Sequence, residues 1–283
     1  MVDKKLYPVE LPYPLPPWRH RFRTLSVYCE VDEAALARRV PAPLSLCSNV
    51  VQVTVMHFES TVPDRPYFDS ALIANVRYGE CTGGNWVHAF TSTDQVLSGT
   101  RELWGYNMKL ADIELHIDQG RIWGHPARLG QTLIEIDMST GGQAVPVPDL
   151  FPRLFVKALP ETERPEAVDR QVVMMVADTE VTQTLWGEGV LGLTSSGEDA
   201  LGDLQPGRVL GASYVAGNQV LNWGRVVSEA VQCPKYSKGE HTDESNCCKL
   251  RRDRVSGDRR DRYPGGRFER GLGFSDHHLA QPG

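Results

Sequence analysis

The 283-residue chain is 41% hydrophobic and 23% charged with a formal net charge of −6, a profile that suits one large globular domain or two ordinary ones. No apolar run approaches the ~18–20 residues needed to cross a bilayer, and the acidic body (−9 outside residues 232–283, +3 within them) argues against nucleic acid as a partner. Cysteines at 29, 47, 81, 233, 247 and 248 show neither zinc-ligand nor disulfide-scaffold spacing, so the thiols read as reduced and the chain as cytoplasmic.

Prolines at 8, 12, 14, 16 and 17 make residues 1–18 an extended lead-in lying across a surface, with no apolar core for a secretory signal. Leu25, Val27, Cys29 and Val31 alternate with Thr24, Ser26, Tyr28 and Glu30, the period of a half-buried strand. Asp32 is placed to cap a short alanine-rich helix over 33–40, which Pro41 and Pro43 stop. Further strands are expected over 50–58, 71–78, 86–91, 113–117, 120–125 and 132–138, with Asp118-Gln119-Gly120 as a hairpin turn. Residues 153–159, 171–184, 187–193, 209–215 and 220–230 continue the pattern. Short strands about every ten residues with one or two helices predict a β-rich single domain.

Residues 232–283 differ from the rest. Runs such as Lys249-Leu-Arg-Arg-Asp-Arg and Asp258-Arg-Arg-Asp-Arg hold too few apolar groups to offset the entropy of ordering, so the segment reads as a disordered tail. Interleaved aspartates cancel most of the field that a nucleic-acid arm would need.

The run Gly-Thr-Arg-Glu-Leu-Trp-Gly-Tyr-Asn-Met-Lys-Leu-Ala over 99–111 resembles the active-site segment of the acetoacetate decarboxylase family, in which a Gly-Arg-Glu run leads into two adjacent lysines. Residues 32–44, Gly84-Asn-Trp-Val-His-Ala-Phe, Arg153-Leu-Phe-Val-Lys-Ala-Leu-Pro and Asp178-Thr-Glu-Val-Thr are similar to other family segments in the same register, which covers residues 19–231. The resemblance implies antiparallel sheets curved into a cone-like barrel around a central pocket, one or two short helices, no metal or organic cofactor, a small keto acid as substrate, and a homo-oligomer.

It also implies a chemistry that this chain alters. The family's first lysine, the imine-forming nucleophile, falls at Met108, and the second at Lys109. An imine needs an amine kept neutral by burial or a nearby cation, and neighbouring side chains on a strand face opposite ways. The plainer reading of Lys109 is therefore an exposed or ion-paired lysine, with Met108 as a pocket filler. The family's pocket glutamates fall at Thr54, with Glu59 nearby, and at Asp69. Its N-terminal arginine falls at Phe22, flanked by Arg21 and Arg23, where a one-residue shift would restore it. The expected site is thus Lys109, Asp69, Arg101 and Glu102 for catalysis, with Met108, Trp104, Tyr106, Thr54 and Phe22 contacting substrate. His57 and His88 read as core histidines, and His277-His278 lacks a partner at ligand spacing.

Two aromatic residues and a methionine near the site point to a β-keto acid bulkier than acetoacetate, of the polyketide kind found in secondary metabolism. The expected activity is decarboxylation, by Lys109 or by electrostatic stabilisation of an enolate. A hydratase, aldolase or cyclase on the same scaffold is the alternative, and a non-catalytic small-molecule binding protein is the reading that Met108 favours.

Overall fold

The computed structural model describes residues 10–160, 162–163 and 168–227. The charged tail, His277-His278, residues 1–9 and the end of the 220–230 strand lie outside them. In chain order the elements are β1 (Trp18–Glu30), α1 (Glu33–Ala37), β2 (Ser45–Val62), β3 (Tyr67–Tyr78), β4 (Cys81–Thr91), α2 (Asp94–Leu103), β5 (Met108–Leu110), β6 (Asp112–Asp118) and β7 (Arg121–Arg128). After β8 (Gln131–Thr132) and β9 (Ile134–Thr140) come β10 (Arg153–Pro160), β11 (Val168–Met175), β12 (Ala177–Leu193), a 3-10 turn (Gly202–Leu204), β13 (Val209–Leu221) and β14 (Arg225–Val227).

The β-rich expectation holds, and the described strands share one sheet in the order β14-β11-β10-β4-β3-β2-β1-β13-β12-β9-β7-β6. β5 branches from β4 and β8 from β7, and the path has two ends, so the described sheet is open. Pairing is antiparallel except where β4 meets β5 and β10. The long stretch 171–184 divides at Val176 into β11 and β12. The hairpin forms as expected: Gly120 takes φ +78 between β6 and β7, a left-handed turn conformation that glycine adopts without strain.

Both helices have side-chain caps. Asp32 Oδ1 accepts from Ala35 N at 2.6 Å, satisfying one of α1's unpaired N–H groups. Thr93 Oγ1 does the same for Val96 N in α2. That helix was not expected, although Thr93-Asp94 ahead of Val96, Leu97, Thr100 and Leu103 is a usable start signal. Residues 10–17 lie across the outside of the second core described below: Tyr13 is buried, and Trp18 Nε1 donates to Pro14 O.

The central strands are buried on both faces, so the half-buried pattern read from β1 and β2 is incomplete. One face holds Leu25, Val27, Val51, Val53, Val55, Leu72, Phe90 and Ile122. The other holds Phe22, Met56, Phe58, Tyr67, Ala71, Ile73, Trp86, Trp104, Tyr106, Met108 and Phe155. A register shift between β3 and β4 falls at Val87, so Trp86 and Ala89 face the second core while Val87 faces the first. An extra residue of this kind re-aims the side chains that follow it.

Candidate active site

Across the second face the pairing aligns Trp186, Ser213, Ser26, Thr54, Ala71, Ala89 and Met108 in one row from β12 to β5. Its polar half is buried but satisfied. Thr54 Oγ1 donates to Leu25 O at 2.8 Å, Gln52 Nε2 donates to Ser26 Oγ at 2.8 Å, and Tyr28 and Ser213 hydroxyls lie 3.3 Å apart. One row along, Met56, Asp69 and Thr91 are cross-strand partners, so Asp69, Thr54 and Met108 share a face.

Asp69 is the unusual group there. It is 4% exposed and its Oδ1 has no hydrogen-bond partner. Burial pushes its pKa up to about 7, and the Thr91 hydroxyl offsets part of that rise without reaching hydrogen-bonding geometry. Water stabilises a carboxylate far better than an apolar wall does, so this acid is half protonated near neutrality. Tyr67 and Tyr106 are close enough to feel its charge, and burial holds both phenols well above the usual range. Tyr67 Oη meets His20 Nε2 at 2.9 Å, and burial lowers that imidazole to about 4. Tyr106 stacks on Phe155 at 3.7 Å and meets Trp86 edge-on at 4.9 Å.

Beside this face the sheet has a gap: β10 meets β4 at Gly84, and β5 joins only from Ala89 onward. A cavity of about 260 Å³ is lined there by Asn85, Trp86, Tyr106, Phe155, Arg39 and Arg101, among others; Asp69, Thr54 and Met108 do not line it, and Trp86, Tyr106 and Phe155 are the second-core residues that do.

Met108 and Lys109 are split by strand geometry. Met108 is 1% exposed in the second core. Lys109 pairs with Phe90 of the opposite face, and its Nζ forms an ion pair with the buried Asp199, which Arg128 Nε also contacts at 3.1 Å. Burial works to raise the Asp199 pKa, and the hydrogen bonds and charges of Lys109 and Arg128 more than reverse it, leaving the carboxyl below its ordinary value. Lys109 is therefore not brought together with Asp69 and Met108, because alternation along β5 sends it to the other side.

The remaining expected residues separate in the same way. Phe22 faces the second core, whereas Arg21 and Arg23 both pair with Glu59, so no shift supplies an arginine. Arg101 stands at the cavity rim and donates to Met108 O at 3.1 Å, pinning β5. Glu102 accepts from the Tyr13 hydroxyl. Trp104 is fully buried, 5.1 Å edge-on to Trp18, with Nε1 donating to Asn222 O, so it supports the cavity without lining it. His88 accepts from Arg39 Nε at 3.1 Å; burial, Arg39 and Lys109 lower it to about 4. His57 stacks on Phe68. Among the described residues no group of three or more His, Cys, Asp and Glu is arranged to hold a metal ion, and no helix is long and apolar enough to cross a membrane.

One residue of this region escaped the sequence reading. Arg153 opens β10 and is 6% exposed, and among the described residues its one hydrogen bond runs from Nη1 to Leu150 O at 2.9 Å. Its guanidinium lies over Phe151 and packs onto Gly84, where a Cβ would come within 2.3 Å of Nη1. The signal available was the glycine pair Gly83-Gly84, whose lack of side chains lets β10 and this arginine approach.

A family model described as acetoacetate decarboxylase (ADC) matches residues 7–231. An acetoacetate decarboxylase of Acidiphilium cryptum (strain JF-5) is 25% identical over 228 residues, covering 77% of this chain and 91% of that protein. The crystal structure of acetoacetate decarboxylase from Legionella pneumophila subsp. pneumophila str. Philadelphia 1 superposes with a TM-score of 0.69 at 21% identity, covering 77% and 90%. The enduracididine biosynthesis enzyme MppR, complexed with the condensation product of pyruvate and imidazole 4-carboxaldehyde, superposes with a TM-score of 0.67 at 16% identity, covering 78% and 92%.

Proposed function

The chain belongs to the acetoacetate decarboxylase family, and from that membership we propose that it is a carbon–carbon lyase that decarboxylates a β-keto acid without forming a lysine imine. The observation that carries this reading is the buried, half-protonated Asp69 with an unpartnered oxygen on the same face as Met108, while Lys109 is held elsewhere by Asp199. As the bond to the carboxyl carbon breaks, its electron pair moves into an enolate and carbon dioxide leaves. The Tyr106 phenol, kept protonated by burial, donates to the developing oxyanion. Asp69 then passes its proton to the carbanionic carbon and is reprotonated from solvent.

The departing carboxylate lies against Met108, Ala71 and Ala89, where poor solvation favours its conversion to a neutral gas. Trp86, Tyr106 and Phe155 suit the apolar body of a polyketide-type acid, and the opening between β5 and β10 gives a longer chain an exit. A hydratase, aldolase or cyclase would use the same Asp69–Tyr106 pair, and the condensation product bound by MppR keeps that reading in view.

The deciding experiment incubates the full chain with acetoacetate and longer 3-oxo acids, with and without borohydride, and follows carbon dioxide and protein mass. We expect carbon dioxide without adduct, and its release abolished in Asp69→Asn. An adduct on Lys109 or Lys157 during turnover defeats the imine-free route. Product formation without carbon dioxide selects the alternative chemistry, and binding without any turnover reduces the chain to a ligand carrier.

A further inference from the structure

Arg153 is nine-tenths buried, and the proposed reaction does not use it. Among the described residues no carboxylate lies within ion-pairing distance of it, Asp149 acting on it only from farther off, and one carbonyl takes one of its five N–H groups. A guanidinium held this way is costly unless something anionic completes it. Beside it is a second donor without an acceptor: Trp86 Nε1 is buried and unbonded. Residues 84 and 86 lie on one face of β4, and the Arg153 guanidinium occupies the space above Gly84 that a side chain would fill. A buried cation without an ion-pair partner among the described residues and an unbonded indole N–H thus lie on the same face of β4, next to the cavity that Trp86 and Phe155 line. An acceptor such as a carboxylate satisfies both.

We propose that Arg153, with the Trp86 indole N–H, anchors a carboxylate that the substrate retains, so that the acid consumed is a β-keto dicarboxylate. This rests on the lyase reading above and narrows its substrate class. The retained carboxylate follows from the chemistry. A carboxylate gripped by a buried guanidinium is stabilised in the ground state, and its loss as neutral carbon dioxide would strand the cation. The leaving group belongs at the other, apolar end.

The charge pattern fits that order. Tyr106 feels both Arg153 and Asp69, so its phenol is near the anchor and the acid alike. A 3-oxo dicarboxylate with one carboxylate on Arg153 brings its ketone to Tyr106 and its departing carboxylate toward Asp69.

Calorimetric titration of the full chain with butyrate and butyramide, which cannot react and differ in the carboxylate, tests the anchor independently of turnover. The wild type is expected to bind butyrate at least about tenfold more tightly than butyramide, and Arg153→Gln is expected to lose about that factor for butyrate alone. Arg153→Lys restores part of the preference, and Asp69→Asn leaves it in place. Should Arg153→Gln fail to fold, Trp86→Phe removes the indole donor and is expected to weaken butyrate by a few-fold relative to butyramide. Equal affinities in the wild type, or an unchanged preference in Arg153→Gln or, failing its folding, in Trp86→Phe, overturn the proposal. Faster turnover of 3-oxoglutarate than of acetoacetate supports the combined picture, and faster turnover of acetoacetate overturns the dicarboxylate assignment. Arg153-dependent butyrate binding without any decarboxylation leaves the anchor standing and removes the lyase.

Discussion

Asp69 makes a prediction that stability measurements can reach without knowledge of the substrate. Its carboxyl titrates at about 7 when folded against an ordinary value of 3.8. A carboxyl whose folded pKa is raised contributes stability that is full below the unfolded pKa and lost as pH rises through the folded one. Linkage between those two values makes the folded state about 2.5 kcal/mol worse off at pH 8 than at pH 5 through this one group.

Two buried histidines act in the opposite sense. His20 and His88 both fall from 6.5 to about 4 on folding. Their contribution is present above the unfolded value and lost as pH drops toward 4, at roughly 2 kcal/mol each by pH 5. The wild-type profile alone therefore mixes two large terms of opposite sign and proves little. The difference from Asp69→Asn isolates the aspartate, because both histidines remain. Urea unfolding of both proteins from pH 5 to pH 8 should show the variant gaining about 2–3 kcal/mol on the wild type across that range. Parallel profiles would mean that Asp69 ionises normally and is no proton carrier. Turnover should agree with the stability data: if the protonated acid delivers the proton, kcat falls as pH rises above about 7.

Three further substitutions probe the frame around Asp69. Met108→Lys puts an amine on the face of Asp69 and Met56, where burial keeps it neutral, so borohydride with acetoacetate should label residue 108; absence of label would show that this position does not open onto the chamber. Asp199→Asn strips Lys109 and Arg128 of their shared carboxylate. With those side chains 33% and 20% exposed, a loss of about 1–3 kcal/mol in urea midpoint analysis is expected, with kcat unchanged; a fall in kcat at full stability would return Lys109 to the chemistry. Gly105→Ala forces a Cβ at φ +85 to within 2.6 Å of Lys157 Cα, and should cost about 2–4 kcal/mol and displace Tyr106. A variant as stable and active as the wild type would show that this turn gives way.

The strands were legible because alternation survives in β1 and β2 even though both faces are buried: Val51, Val53 and Val55 mark one core without help from Thr54 or Met56 on the other. The family segments picked out one face of the sheet because Asp69, Thr54 and Met108 keep one parity across neighbouring strands. Other features depended on pairings that no local pattern encodes. The register shift at Val87 sends Trp86 and His88 to opposite faces, although a plain strand would put them together. The separation of Met108 from Lys109 required knowing that residues 108–110 pair with Ala89–Thr91 as a strand. Arg153 was hidden for a further reason. An arginine opening a strand reads as solvent-facing until the glycines of β4, distant in sequence, are seen to admit it to the interior. Phe22 and Thr54 stand where the resemblance implies a cation and a carboxylate, while Arg153 supplies a buried cation from a different strand. If Arg153 holds the retained carboxylate proposed above, charge on this face has been moved rather than simply lost, and the departures at Met108, Thr54 and Phe22 follow from a changed substrate rather than from decay of the site.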